Sequence, residues 1–175
     1  MQFTAKRGVA KTVAKAPAEG MKAETARRTD GNKTKNIYNM NTIRYYSKFG
    51  HTKSMVDAVK DLMDSEPRTV EAPLEGKVDV LYIGAGVLMG KVDKRVMDFI
   101  ATLTPETVGR VVCFGSCAII KSPVPQMRKA LEARGIKVDS REFTCPGAMG
   151  PVKAGHPDAD DIKRFREFVS NTLQQ

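Results

Sequence analysis

From Thr42 onward, the apolar positions fall into two alternating textures. One consists of short β-branched or aromatic runs: Thr42–Tyr46, Val78–Gly84, Arg110–Gly115 and Ile136–Phe143, with a shorter run over Arg68–Glu71. Such runs predict strands. The other recurs every three or four residues, which predicts helices with one buried face. Met55, Val59 and Leu62 form the first stripe, widened by Val56 and Met63. Val92, Val96, Phe99, Ile100 and Leu103 form the second. Met127, Ala130 and Leu131 follow Pro123 and Pro125 and are stopped by Gly135. Ile162, Phe165 and Val169 mark a last helix over Asp158–Leu173. The interval between the second and third strands is too short for a full helix, so a loop or stunted turn is expected there. Five strands alternating with helices predict an α/β fold, a doubly wound parallel sheet with helices on both faces.

In sheets of this kind a ligand sits beyond the carboxyl ends of the strands, where the strand order reverses. Three small-residue loops occupy that place: 47–52, 84–92 and 115–123, each directly after a predicted strand.

Composition changes this picture little, and charge changes it once. The chain has 175 residues and a formal net charge of +9, which taken whole suggests a nucleic-acid partner. Residues 1–41, however, hold nine Lys or Arg against three acids, and residues 42–175 hold twenty against seventeen. The basicity belongs to an N-terminal extension too poor in large apolar side chains to build a core, expected to be flexible. The domain proper begins at residue 42, and its near balance argues against nucleic acid as the main partner. Cys113, Cys117 and Cys145 are too few for a disulfide framework. With no membrane-length apolar run and no secretory h-region, a cytoplasmic protein is expected.

The first loop carries the most chemistry. Ser47-Lys48-Phe49-Gly50-His51-Thr52 ends a strand and opens a helix. Backbone N–H groups there are free of intrahelical partners, and the dipole favours an anion. Ser47 and Thr52 add hydroxyl donors, and Gly50 permits a tight turn close to the ligand. A plain helix cap would use the same residue types. The loop is neither GxxxxGK[ST] nor GxGxxG.

Together with its neighbours, Tyr45-Tyr46-Ser47-Lys48-Phe49-Gly50-His51-Thr52 resembles the phosphate loop of the flavodoxin family, [ST]-x-[ST]-G-x-T. It departs once, with Phe49 at the middle hydroxyl position, which removes a side-chain contact and leaves the backbone one. Val80–Gly86 resembles the family's third strand and first ring loop, and Phe114-Gly115-Ser116-Cys117 its fourth strand and second ring loop. Phe143-Thr144-Cys145-Pro146-Gly147, then Gly155-His156-Pro157-Asp158, is similar to small flavodoxin-like proteins of anaerobic bacteria. The resemblance implies strand order 2-1-3-4-5 and FMN as cofactor. It places the phosphate on Ser47–Thr52 and the isoalloxazine between Ala85, Gly86, Val87, Leu88 and Met89 on one side and Gly115, Ser116 and Cys117 on the other. Leu88 and Met89 would cover the ring, because the four tyrosines (38, 45, 46 and 82) lie outside both ring loops.

The implied function is an electron carrier between redox partner proteins, a reductase and an acceptor, acting as a monomer or weak dimer. An NAD(P)H-dependent quinone or flavin reductase of the same fold is the alternative, and a non-redox module binding nucleic acid through the basic arm is a third. Cys145 ends a strand, a place that leaves exposure of its thiol open; Cys113 is expected in the core. His51 and His156 lack the companions of a metal site, and no nucleophile–base–orienter set is present, so no metal or catalytic residues are expected.

Overall fold

The computed structural model describes residues 40–118 and 122–174. The basic extension, up to residue 39, and part of the 115–123 loop lie outside the described residues. The elements are β1 (Asn41–Tyr45), α1 (His51–Asp57), β2 (Arg68–Thr69), β3 (Val78–Leu88), β4 (Lys91–Val92), α2 (Lys94–Thr102), β5 (Val108–Cys117), α3 (Val124–Glu132), β6 (Val138–Pro146) and α4 (Ala159–Leu173).

The sheet order is β2-β1-β3-β5-β6, parallel throughout, with β4 paired antiparallel to β3. With β4 set aside, this is the expected order. β3 and β5 run beyond their predicted ends, so 84–92 is not a loop. It is the end of β3, a two-residue turn at Met89-Gly90, and β4. Both turn residues have positive φ, 51° for Met89 and 78° for Gly90. Asn or Gly is usual at such a turn, so Met89 conceals it from sequence reading. The first helix is also shorter than its stripe, ending at Asp57 before a separate 3₁₀ turn at Lys60–Leu62. The stretch between β2 and β3 holds only turns, as expected.

Alternation along the central strands builds two cores. Leu81, Ile83 and Ala85 of β3 and Val111 and Cys113 of β5 face α2 and α3, meeting Val96, Phe99, Ile100, Met127 and Leu131. Tyr82, Val112 and Phe114 face α1 and α4, meeting Met55, Val56, Phe165 and Val169. A strand covered on both faces shows no polar side, and this is why β3 and β5 read as continuous apolar runs. On the α4 face, Phe165 packs in tilted contact 4.7 Å from Phe114 and 5.2 Å from Phe143, centroid to centroid. Asp158 caps α4 by accepting from the Asp161 N–H, and the Asp161 carboxylate accepts in return from the Asp158 N–H.

Opposite the carboxyl ends of the strands, an ionic knot ties β5, β6 and α4. The buried Asp139 carboxylate accepts from Arg110 at 2.5 Å and Arg141 at 2.9 Å, and Arg110 also donates to the Thr172 carbonyl at 3.2 Å. Hydrogen bonds from Arg141, with the Arg110 charge beside it, hold the Asp139 carboxyl down at about 2. A carboxyl depressed in the fold stabilises it above the unfolded value, near 4, and that contribution fades as pH falls towards 2. We expect Asp139→Asn to lose about 2 kcal/mol of unfolding free energy at pH 7, at about 1.4 kcal/mol per pKa unit. Urea titrations between pH 7 and 2 would show the gap between variant and parent closing in acid.

Candidate functional site

Beyond the carboxyl ends of the strands, a cleft with about 800 Å³ of empty space, partly open to solvent, lies over β1, β3 and β5. Strand order reverses here: the chain leaves β1 for β2 on one side and returns to β3 on the other. One wall is the segment after β1, from Tyr46 to Thr52; the opposite wall is the β3–β4 hairpin, Gly86–Leu88 and Lys91–Asp93. Ser116, Cys117 and Ala118 from β5 and Gly147, Ala148 and Met149 after β6 complete the lining.

The β1 wall presents donors. Gly50 precedes α1 with φ +88°, a conformation that turns the chain sharply and that a Cβ would strain. The first bond that closes α1 runs from the Ser54 N–H to the Gly50 carbonyl at 2.9 Å, and the Lys53 N–H donates to Ser47 Oγ at 3.1 Å. The backbone N–H groups of Lys48 to Thr52 donate to no acceptor among the described residues. Thr52 is 1% exposed and Ser116 is 5% exposed, yet neither hydroxyl has a hydrogen-bond partner among the described residues. No fully enclosed side-chain nitrogen or oxygen among the described residues lacks a partner, and both of these residues line the cleft, so their hydroxyls are placed to meet whatever fills it. A side chain at Gly86 would occupy the gap between them, since its Cβ would sit 3.9 Å from Thr52 Oγ1 and 3.8 Å from Ser116 Oγ.

Beyond the β1 wall the lining is mostly apolar or aromatic, with Lys91 and Asp93 as its charged members. Tyr46 is pinned by Arg95, whose guanidinium lies 4.0 Å from the ring centroid and is held by Asp93 at 3.0 Å. Asp93 also caps α2 by accepting from the Arg95 N–H. The cleft therefore joins a donor-rich end to a mostly apolar body, which suits an anionic group attached to an apolar one.

No protein-family model matches the sequence. An uncharacterized protein of Methanocaldococcus jannaschii is 26% identical over 107 residues, covering 55% of this chain and 70% of its own. Among solved structures, a flavodoxin from the domain Archaea superposes with a TM-score of 0.59 at 14% identity, over 77% of this chain and 99% of its own. The fold is that of the flavodoxins. A flavodoxin, WrbA-like protein from Agrobacterium tumefaciens gives 0.55 at 18% identity, over 78% of this chain and 98% of its own. Rubredoxin oxygen:oxidoreductase from the anaerobe Desulfovibrio gigas gives 0.60 at 13% identity, over 76% of this chain and only 35% of that longer one.

On this flavodoxin fold, the residues expected to hold a cofactor divide into two groups. Ser47, Lys48, Phe49, His51, Thr52, Gly86, Val87, Leu88, Ser116 and Cys117 all line the cleft. Gly50, Ala85, Met89 and Gly115 do not. Gly50 shapes the loop from behind. Ala85 points into the α2–α3 core. Met89 stands at the hairpin tip, 94% exposed. Gly115 is a packing glycine: a Cβ there would overlap the Ala85 carbonyl and the Pro123 ring.

Several lining residues were not expected from sequence. Tyr46 was set aside as outside the ring loops, yet it and Phe49 supply aromatic surface at the cleft. Gly147–Met149 enter because β6 pairs with β5 in register, Ser116 opposite Cys145 and Cys117 opposite Pro146. Gly147 sits so close that a Cβ would come within 3.2 Å of Ser116 Oγ. The quoted Cys145-Pro146-Gly147 stretch was the available signal. His156 lies away from the cleft, with Nδ1 2.6 Å from Asp161 at the start of α4.

The three cysteines differ sharply. Cys145, whose exposure the strand end left open, is 2% exposed, with its thiol 3.5 Å from Met55 Sδ. Burial pushes the thiols of Cys113 and Cys145 up to about 12, so both are unreactive at neutral pH. Cys117 alone lines the cleft. A thiol-reactive disulfide reagent at pH 8 is therefore expected to modify Cys117 in the native protein and the other two only after unfolding, read by peptide mass mapping. Fast modification of all three would contradict this packing.

Proposed function

We propose that residues 42–175 form an FMN-binding domain that carries electrons between redox proteins. The observation that carries this reading is the convergence at one end of the cleft of two lining hydroxyls, Thr52 and Ser116, and the N–H groups of Lys48 to Thr52, none of which is bonded among the described residues. A phosphate monoester satisfies all of them at once, and charge-assisted bonds to it are the strong kind. Ser47–Thr52 would hold the phosphate, with Lys48 adding positive charge beside it.

Gly86–Leu88, Ser116–Ala118, Tyr46 and Gly147–Met149 would enclose the flat ring system. Dispersion contact with Tyr46, Val87 and Leu88 would exclude water from both faces. FMN, when bound, supplies one- and two-electron chemistry that no side chain of this chain supplies. The protein's own part is to bind, orient and shield. The short Gly86–Leu88 wall leaves the mouth open, which suits transfer of electrons to a docked protein. A carrier needs a reductase and an acceptor, and both are proposed partners here.

Purified protein stripped of small molecules is expected to quench FMN fluorescence on titration, with riboflavin, which lacks the phosphate, binding at least tenfold more weakly. Thr52→Val keeps the shape and removes one hydroxyl; loss of a hydrogen bond to a charged group, about 1.5–3 kcal/mol, raises the FMN dissociation constant roughly tenfold or more. Equal affinity for FMN and riboflavin would overturn the phosphate assignment. Anaerobic mixing of the FMN-loaded protein with NADPH or NADH separates the carrier from a stand-alone reductase. A carrier leaves the nicotinamide unoxidised until a reductase is added, and steady oxidation of nicotinamide would replace the carrier reading with the reductase one.

A further inference from the structure

Three segments contribute to the cleft and run on from its lining: 46–53, 87–95 and 147–155. Their charged residues are Lys48, Lys53, Lys91, Lys94, Arg95 and Lys153 against Asp93 alone. Lys53 is paired with Asp57, Lys94 with Asp98 and Arg95 with Asp93. Lys48, Lys91 and Lys153 form no ion pair among the described residues. The same segments carry exposed apolar surface: Phe49 is 60% exposed, Met149 and Val152 41% each, and Leu88 37%.

Met89 is the sharpest feature. It is 94% exposed at the tip of the β3–β4 hairpin and holds φ at +51°, a region that disfavours side chains with a Cβ. Asn or Gly would relieve both the strain and the apolar exposure, so stability does not account for methionine there. A flexible, polarisable thioether at a protruding tip, with Met149 across the mouth, is the kind of surface that adapts to a partner.

Resting on the reading of the cleft as an FMN site, we infer that this rim docks a small redox protein that presents an acidic ring around an apolar centre. Charge selects this occupant among the others. A second copy of the chain would set one basic rim against another. The chain's own N-terminal segment, with nine Lys or Arg against three acids in residues 1–41, is repelled in the same way. An acidic partner is steered to the mouth by its field, and the methionines and Phe49 then supply the desolvated centre of the contact.

The probe is a plant-type [2Fe–2S] ferredoxin of strongly negative net charge, with basic cytochrome c as the counter-probe, each titrated against the full-length protein by calorimetry. Ferredoxin is expected to bind at 20 mM salt and to weaken at least tenfold at 300 mM, where screening shortens the reach of the rim charges. Cytochrome c is expected not to bind. Lys94→Glu combined with Lys153→Glu should weaken ferredoxin at least fivefold while leaving the FMN dissociation constant unchanged. Met89→Ser should weaken it about threefold without altering the salt dependence.

Ferredoxin binding that is undiminished in the lysine double variant would place the contact on the basic N-terminal segment and overturn the inference. So would absence of ferredoxin binding at low salt, binding of cytochrome c, or tighter binding of a single-stranded 20-mer DNA competitor at the same rim. Because calorimetry reports docking without using the flavin, the two readings fail separately. A protein that binds ferredoxin at the rim but no FMN loses only the cofactor assignment; one that binds FMN but no ferredoxin loses only the docking partner.

Discussion

The molecule is organised by how closely β3 and β5 approach each other and their covering elements near their carboxyl ends. Gly84 lies beneath the Phe114 ring, and Gly115 lies against the Ala85 carbonyl and Pro123; a Cβ at either would overlap its neighbour. Two glycines on opposed strands, Gly84 paired with Phe114 and Gly115 with Ala85, let one core receive a large ring and the other receive the start of α3. Interiors packed at crystal-like density leave no slack for an extra methyl at such points. Everything that forms the cleft follows from this contact. It lets β3 and β5 extend past the core to Leu88 and Cys117, carrying Gly86 and Ser116 to the floor beside Thr52.

The two ends of the sheet serve different purposes. At the amino end of β5 and β6, Asp139 spends its carboxylate on Arg110 and Arg141, and Arg128 donates to its carbonyl, so charge is paired and closed. At the carboxyl end, Thr52 and Ser116 line the cleft with hydroxyls that bond to no other described residue. A fold gains stability by satisfying polar groups and gains a binding site by leaving a few unsatisfied in a shaped place. The division matches the rule that parallel sheets bind beyond their carboxyl ends, because there alone several loops converge without a covering helix.

Much of this was legible in residue order, and the reasons are local. Ser47–Thr52 combines hydroxyls, a glycine for a positive φ and a helix start within six neighbouring residues, so its role needs no distant partner. The double texture of short apolar runs and helical stripes likewise carries the strand order's class, since strands covered on both faces cannot show a polar side. The hairpin at Met89-Gly90 was hidden because a methionine occupies a position whose backbone favours asparagine or glycine. The burial of Cys145 was not legible because its neighbour is Met55, ninety residues earlier, brought over by α1.

What the chain's residues determine by themselves is therefore the kind of sheet, a glycine-turned loop of donors at the start of α1, and the concentration of basic charge ahead of a nearly balanced remainder. These depend on periodicity, turn chemistry and charge along a continuous stretch. Tertiary structure alone decided which of the expected residues share one cleft. It turned Ala85 and Gly115 inward, set Met89 at an exposed tip, and drew Tyr46 and Gly147–Met149 into the lining. Those outcomes depend on the register of β5 against β6 and of β3 against β4, and register is a relation between distant segments that no single segment encodes.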